Sequence, residues 1–457
     1  MAQAKSKTSD FTTGRIIPQL IVFALPILLG QVFQTLYNSV DSIVVGRYVG
    51  TTALAAVAAS SDISYMLVGF FTGLSSGAGV LFSRYFGARD YDKLHDAIHT
   101  AMAFSVIFGL VIAGLGLVIT PWLLKVVACP DDVYPEAIRY LRIYISGAVL
   151  TSIYNVASGA LRAVGDSRDP LIFLIVSSLV NIALDLLFVL GFGMGVEGVA
   201  IATVLAQLVS VVMVLWTMMR TDDVYQLQLK DLRIDKALLL KILDLGLPAG
   251  IQVCLICISN LFMQRFINLL GSAAMAGMGA AKKVDKFINI ISNSVALSAT
   301  TMVSQNVGAN NYRRAFKGLR SAFMIAMVAV AALAIPLYYS AETALSLFTE
   351  DAAALAYGVS MMHVMVPTYY LQMSNSILSN VVRGFGKSRT VMVLSLLSLV
   401  GMRQLFLHIA MAIRPCAEVV YLSFPVGWLF GASFMFLYFL FAILRPYYRT
   451  KRAAEGL

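Results

Sequence analysis

Two aspartates stand inside apolar runs, where a carboxylate is costly. Asp41 lies in LYNSVDSIVVGRYVG, residues 36–50, and Arg47 at the far end is its nearest basic residue. Asp185 lies in NIALDLLF, four residues after Asn181, so the two side chains share one helix face. Thr203 follows in VAIATVLAQ. An acid at a bilayer centre costs about 2.5–3.5 kcal/mol on insertion scales, so a functional role is its default reading. Two carboxylates, an amide and a hydroxyl are oxygen ligands suited to a hard monovalent cation such as Na+, or to a shared proton. Asp41, Asn181, Asp185 and Thr203 are therefore the expected ion site, with the two acids titrating as a coupled pair.

The elements that must carry these residues follow from composition. Of 457 residues, 59% are hydrophobic and 13% charged, against about 25% charged in soluble domains. Segments long enough to cross about 30 Å of hydrocarbon fall near 17–46, 53–82, 95–123, 134–159, 170–192 and 196–219, then 242–270, 274–303, 315–338, 352–380, 391–413 and 418–444. The fold class is all-α integral membrane, with twelve transmembrane helices. Residues 1–16 are expected to form a cytoplasmic tail, 17–219 a six-helix N-terminal lobe, 220–241 a cytoplasmic linker, 242–444 a second six-helix lobe, and 445–457 a cytoplasmic tail.

The net charge of +10 has a topological source. Basic residues crowd the N-terminus and alternate loops, among them Arg84, Arg89 and Lys93, then Arg313, Arg314, Lys317 and Arg320. Intervening loops hold little beyond Arg47, Lys125 and Arg414. This alternation puts both termini in the cytoplasm, and no nucleic-acid partner is needed to explain the charge. The polar, basic start shows no cleavage site after a short apolar core and reads as a tail rather than a secretory signal. The four cysteines are scattered; CLIC at 254–257 sits in an apolar helix and reads as two packed thiols one turn apart.

The chain also repeats itself. VGTTALAAVAAS at 49–60 resembles LGSAAMAGMGAA at 270–281, YFGARDYDKL at 85–94 resembles NVGANNYRRA at 306–315, and LRAVGDSRDP at 161–170 resembles VRGFGKSRTV at 382–391. All three pairs share an offset of 221 residues, and Pro26 and Pro248 keep it within one residue. Six helices per repeat make the halves parallel, which places a substrate path at their interface near the bilayer middle.

The repeat is an internal control on the acids. The positions matching Asp41, Asn181 and Asp185 hold Met263, Met402 and Phe406. Acids that merely held a bundle together would be needed twice. At 1.5 Å of rise per residue, Asp41 lies about 8 Å, and Asp185 and Thr203 about 10 Å, inside the outer helix ends. Gln34 and Tyr37 precede Asp41 on a similar face and, with Asn155, are candidates to line a pocket in the first lobe. Pro26 removes a backbone bond within the first span and is the hinge candidate. Lys282, Lys283, Asp285 and Arg403 are possible cavity charges in the second lobe, with a local Lys282–Asp285 pair the plainer reading.

No HExxH or P-loop occurs, so no enzyme activity is expected, and no cofactor beyond a coupling ion. The chain resembles the multidrug and toxic compound extrusion (MATE) family over essentially its whole length. The resemblance rests on LPILLGQVFQTLYNSVDSIVVGRYVG with TTALAAVA, on GARDYDKL and GANNYRRA, and on RAVGDSRDP. It implies a twelve-helix secondary transporter with two lobes around a central cavity, exporting amphipathic, often cationic drugs in exchange for protons or sodium ions. Within the family the chain looks like the prokaryotic branch of the DNA-damage-inducible F proteins. That branch keeps an ion site in its first lobe, at motif positions matching Asp41, Asn181, Asp185 and Thr203. The plasma membrane of a prokaryote, a monomer and small-molecule partners are the corresponding expectations. A flippase for a lipid-linked precursor, and a non-transporting receptor or scaffold, are the alternatives.

Overall fold

The computed structural model describes residues 8–127 and 129–449. Among them there are helices and no strands. In chain order these are α1 Ile16–Val44, α2 Thr51–Gly87, α3 Tyr91–Val126, α4 Tyr134–Ser146, α5 Ala148–Ala163, α6 Arg168–Leu186 and α7 Val196–Arg220. The second half follows with α8 Lys236–Asn268, α9 Ser272–Gly308, α10 Tyr312–Tyr339, the short α11 Ala341–Ser346, α12 Ala352–Met365 and α13 Tyr369–Gly384. The last three are α14 Ser388–Ser395, α15 Arg403–Ile413 and α16 Ala417–Tyr438. π-helical turns extend α1 (Val45–Val49), α6 (Leu187–Gly191) and α16 (Phe439–Leu444), and Leu396–Met402 joins α14 to α15 in the same way.

Ten of the resulting rods are continuous and apolar enough to cross a membrane. The other two expected spans are present but broken. One divides at Gly147 between α4 and α5, the other at the 3-10 turn Val366–Thr368 between α12 and α13. Pro367 cannot donate to the preceding turn, which explains the second break. Thr368 lies one repeat length after Gly147, so both breaks belong to the shared plan. With them the chain has the expected twelve spans in two repeated sets of six.

Local geometry repeats with the sequence. Asp90 caps α3 by accepting from Lys93 N at 3.3 Å, and Asn311 caps α10 by accepting from Arg314 N at 3.2 Å. The residues just before these caps, Arg89 and Asn310, both take positive φ, 58° and 54°. Ser83 Oγ donates to Ala163 O at 3.3 Å, and its counterpart Ser304 Oγ donates to Gly384 O at 3.3 Å. A non-glycine residue in the left-handed region is uncommon, so recurrence at one offset marks two copies of one fold.

The chain forms two compact units. The first is built on Leu25–Cys254 together with Gly308–Asn310; the second on Leu255–Val307 and the described residues from Asn311, together with Gly14–Ala24. Arg314 Nη2 donates to Gln19 Oε1 at 3.2 Å, a bond within the second unit. In the first unit, glycines let α2 and α8 meet backbone to backbone: a Cβ on Gly77 would fall on Gly246 and one on Gly73 on Ala249 and Gly250. One buried apolar cluster of this unit holds Val44, Val45, Leu141, Val189, Val196 and Val199. It packs directly beyond Asp41 and Asp185 in the sequence, so the acids are set against a dry core.

The segment between α7 and α8, expected as a polar linker, is folded. Tyr225 and Leu227 are 2% and 3% exposed and join the cluster that contains Leu94, Ile98 and Ala101 of α3. Arg233 Nη2 donates to Asp96 Oδ1 at 2.9 Å and Asp235 N to Thr100 Oγ1 at 3.2 Å, so the segment lies along the start of α3.

Candidate functional site

The acids on α1 and α6 meet. The carboxyl groups of Asp41 and Asp185 lie within hydrogen-bonding reach of each other. Asp185 is fully buried, Asn181 is 2% exposed one turn away on the same face, and Asp41 is half-buried. As carboxylates they have no donor to share: both oxygens of Asp185 and Oδ1 of Asp41 are buried without a hydrogen-bond partner. The terminal atoms of Asn181 are equally unpartnered. Buried polar atoms are nearly always satisfied, so this cluster is built to accept something. A single proton between two carboxyls would link them, and a small hard cation would satisfy the orphan oxygens together. Both fit the donor set.

Thr203 is buried on α7, which packs along α6. Its Oγ1 donates to Val199 O at 3.0 Å, which leaves the hydroxyl lone pairs free to act as a ligand.

Each acid is followed by a π-helical turn, beginning at Val45 after Asp41 and at Leu187 after Asp185. In each turn the closing bond spans five residues: Gly50 N donates to Val45 O, and Phe192 N to Leu187 O, both at 3.1 Å. The two turns pack on each other. Such turns recur at functional sites because they widen the helix and shift its register. Here they set the ends of α1 and α6 side by side just beyond the acid pair.

Three tyrosines flank the pair. Tyr37 on α1 pairs with Gln34 and is an electrostatic neighbour of Asp41, Asp185 and Tyr144. Tyr140 and Tyr144 of α4 stack with ring centroids 6.2 Å apart and 15° between planes, and Tyr140 neighbours both acids. Tyr144 pairs with Gln207 of α7, whose Oε1 accepts from Thr151 Oγ1 at 3.0 Å. Tyr37 thus lies beside the acid pair, with Gln34 against it. Tyr140, Tyr144 and Gln207 were not legible as site residues; two tyrosines four apart in YLRIYIS were the available signal.

Asn155 joins two helices of the first unit. Its Oδ1 accepts from Thr72 Oγ1 at 3.1 Å, joining α5 to α2. The second unit carries the same joint with the roles exchanged, Ser376 Oγ donating to Asn293 Oδ1 at 3.2 Å. A bond made once per repeat holds the fold. Pro26 is buried within an unbroken α1, two residues from Ala24, where the chain passes between its two units.

In the second unit, Asp285 Oδ2 accepts from Asn289 Nδ2 at 2.7 Å, and Asn289 Oδ1 accepts from Gln372 Nε2 at 2.6 Å. Tyr369 of α13 lies beside the same carboxyl. Lys282 Nζ donates to Gln264 Oε1 at 3.0 Å rather than sitting only against Asp285, and Lys283 lies 5.4 Å over the Phe348 ring. Arg403 is 5% exposed, inside the second unit, with Ser259 and Asn260 as its partners.

Comparison with known proteins agrees with this architecture. The MatE family profile matches residues 26–187 and again 248–406, once per repeat. The chain is 27% identical over 447 residues to "Probable multidrug resistance protein YoeA" of Bacillus subtilis, covering 96% of this chain and 95% of that protein. It is 19% identical over 388 residues to "Multidrug export protein MepA" of Staphylococcus saprophyticus, covering 85% and 86%. Among solved structures, an outward-facing multidrug resistance MATE transporter of the MOP superfamily superposes with a TM-score of 0.88 at 23% identity, covering 95% of this chain and 98% of that one. A family match over both halves, on a twelve-span fold of two repeats, assigns this chain to the MatE family of multidrug and toxic compound extrusion transporters.

Proposed function

We propose that the protein is a multidrug efflux transporter of a prokaryotic plasma membrane, with both termini in the cytoplasm. It exports amphipathic, cationic molecules in exchange for protons or sodium ions by alternating access, and it binds the coupling ion in the first lobe at Asp41, Asn181, Asp185 and Thr203. The observation that carries this reading is the meeting of Asp41 with Asp185 among buried, partnerless oxygens. The absence of both acids from the second repeat supports it.

The chemistry follows from charge. Without an ion, two neighbouring carboxylates repel one another in a dry setting; with a proton or a sodium ion between them, α1 and α6 are drawn together. A ligand shifts a conformational equilibrium only through its different affinity for the two states. Exchange therefore requires ion and drug to weaken each other's binding, and this coupling is reciprocal.

The test is dye efflux from proteoliposomes under separately imposed proton and sodium gradients, comparing the parent with Asp41→Asn. Export driven by one gradient in the parent and lost in a folded, inserted variant supports the assignment and names the ion. Equal export by both would make Asp41 structural. No dye movement under any gradient would favour the lipid-linked precursor flippase.

A further inference from the structure

We propose that His95, His99 and Asp231 form a binding site for a transition-metal dication of the zinc class, bridging the start of α3 and the folded segment that precedes α8. One ligand atom from each residue lies within 4.8 Å of the other two, and His95 Nε2 is 3.6 Å from Asp231 Oδ2. A tetrahedral zinc at about 2.0–2.1 Å from its nitrogen and oxygen ligands needs them about 3.3 Å apart. His95 and Asp231 are 32% and 39% exposed, so small rotamer changes at these two side chains close that gap.

The histidines are preset for the task. They are four residues apart on one helix face, with ring centroids 3.9 Å apart. Gln228 N–H donates to His99 Nε2 at 3.0 Å. A backbone amide can only donate, so Nε2 carries a lone pair and the proton of this ring sits on Nδ1. That proton is given to His95 O at 2.7 Å. A ring whose N–H is held by a carbonyl while its other nitrogen offers a lone pair is the arrangement that orients metal-bound histidines. An incoming ion takes the place of the Gln228 amide. Gln228 lies just before the single 3-10 turn Leu229–Asp231, which belongs to the linking segment, so the exchange moves that segment and leaves α3 in place.

The ligand set chooses the ion. Two imidazoles and one carboxylate suit zinc, copper, nickel or cobalt, whereas magnesium and calcium prefer oxygen alone. The fold does not require these residues: one repeat later, the positions of His95 and His99 hold Phe316 and Arg320. The chain has four histidines, and the other two are placed elsewhere, His363 against Tyr338 and His408 against Phe266. With the ion bound, the segment is stapled to α3 by metal bonds as well as by Arg233 and Asp96.

The experiment is calorimetric titration of zinc into tag-free, full-length, chelator-stripped protein in detergent, with magnesium as comparison. The expected result is one zinc per chain and no saturable magnesium binding. His95→Ala and Asp231→Asn should each weaken zinc binding more than about tenfold, with unchanged metal-free melting midpoints. A His363→Ala/His408→Ala double variant should bind like the parent. No saturable zinc binding, or binding undiminished in His95→Ala, overturns the proposal. The readout is independent of transport, so it stands or falls apart from the efflux assignment.

Discussion

Arg403 on α15 donates from Nη2 to Ser259 Oγ on α8 at 2.7 Å, and the same nitrogen reaches Asn260 Oδ1 at 2.9 Å. In the repeat, α8 corresponds to α1 and the α14–α15 span to α6. The same seam in the first unit is where Asp41 meets Asp185. One seam thus holds a guanidinium, which stays charged at any working pH. The other holds two acids whose charge an ion can change. One fold thus carries a buried arginine at one seam and two acids at the other.

Arg403→Leu should lower the melting midpoint in detergent, by the equivalent of about 1–3 kcal/mol for lost charge-assisted hydrogen bonds. Arg403→Lys, which keeps the charge without the fork, should fall between. An unchanged or raised midpoint in Arg403→Leu would mean that burying the charge costs more than its bonds return.

Asp185→Asn, like Asp41→Asn, should uncouple transport, and for a different reason from a folding defect. In the proton case, dye efflux by the parent should vary between pH 5 and 9 and the variants should respond weakly; in the sodium case the same contrast appears in the sodium dependence. Drug binding should persist in both variants, measured by dye fluorescence at equilibrium. Parent efflux indifferent to both pH and sodium would sink the coupling assignment.

Asn155→Leu should act on stability alone. It removes the acceptor for Thr72 in a joint that both units share, a loss of about 0.5–1.5 kcal/mol. The midpoint should fall while the gradient dependence of efflux stays that of the parent. A changed drug profile with an unchanged midpoint would place Asn155 in the pocket instead.

Two glycines on α2 provide a matched pair. Gly77→Ala pushes a methyl into the backbone of Gly246, and overpacking of this kind costs about 1–3 kcal/mol. A Cβ on Gly79 meets only Gly159 O, at an ordinary 3.6 Å. Gly79→Ala should therefore raise stability by about 0.5–1 kcal/mol through helix propensity. Thermal melts of the two variants beside the parent are the check.

The sequence by itself determined the twelve spans, the two-fold repetition and the identity of the two unusual acids. These are one-dimensional properties: hydropathy summed over a span length, a constant offset of 221 residues, and residue types out of place in hydrocarbon. Tertiary structure decided which polar residues meet. Asp41 finds Asp185, and Tyr140 and Tyr144 close around them, whereas Asn155 is drawn to Thr72 on α2. It also decided that Gly147 and Val366–Thr368 break two spans, and that a polar linker folds onto α3 by burying Tyr225 and Leu227. Periodicity tells which residues share a face of one helix. Which neighbour that face meets depends on how closely backbones approach, as at Gly77 and Gly246, and that distance is set by the packing of the whole unit.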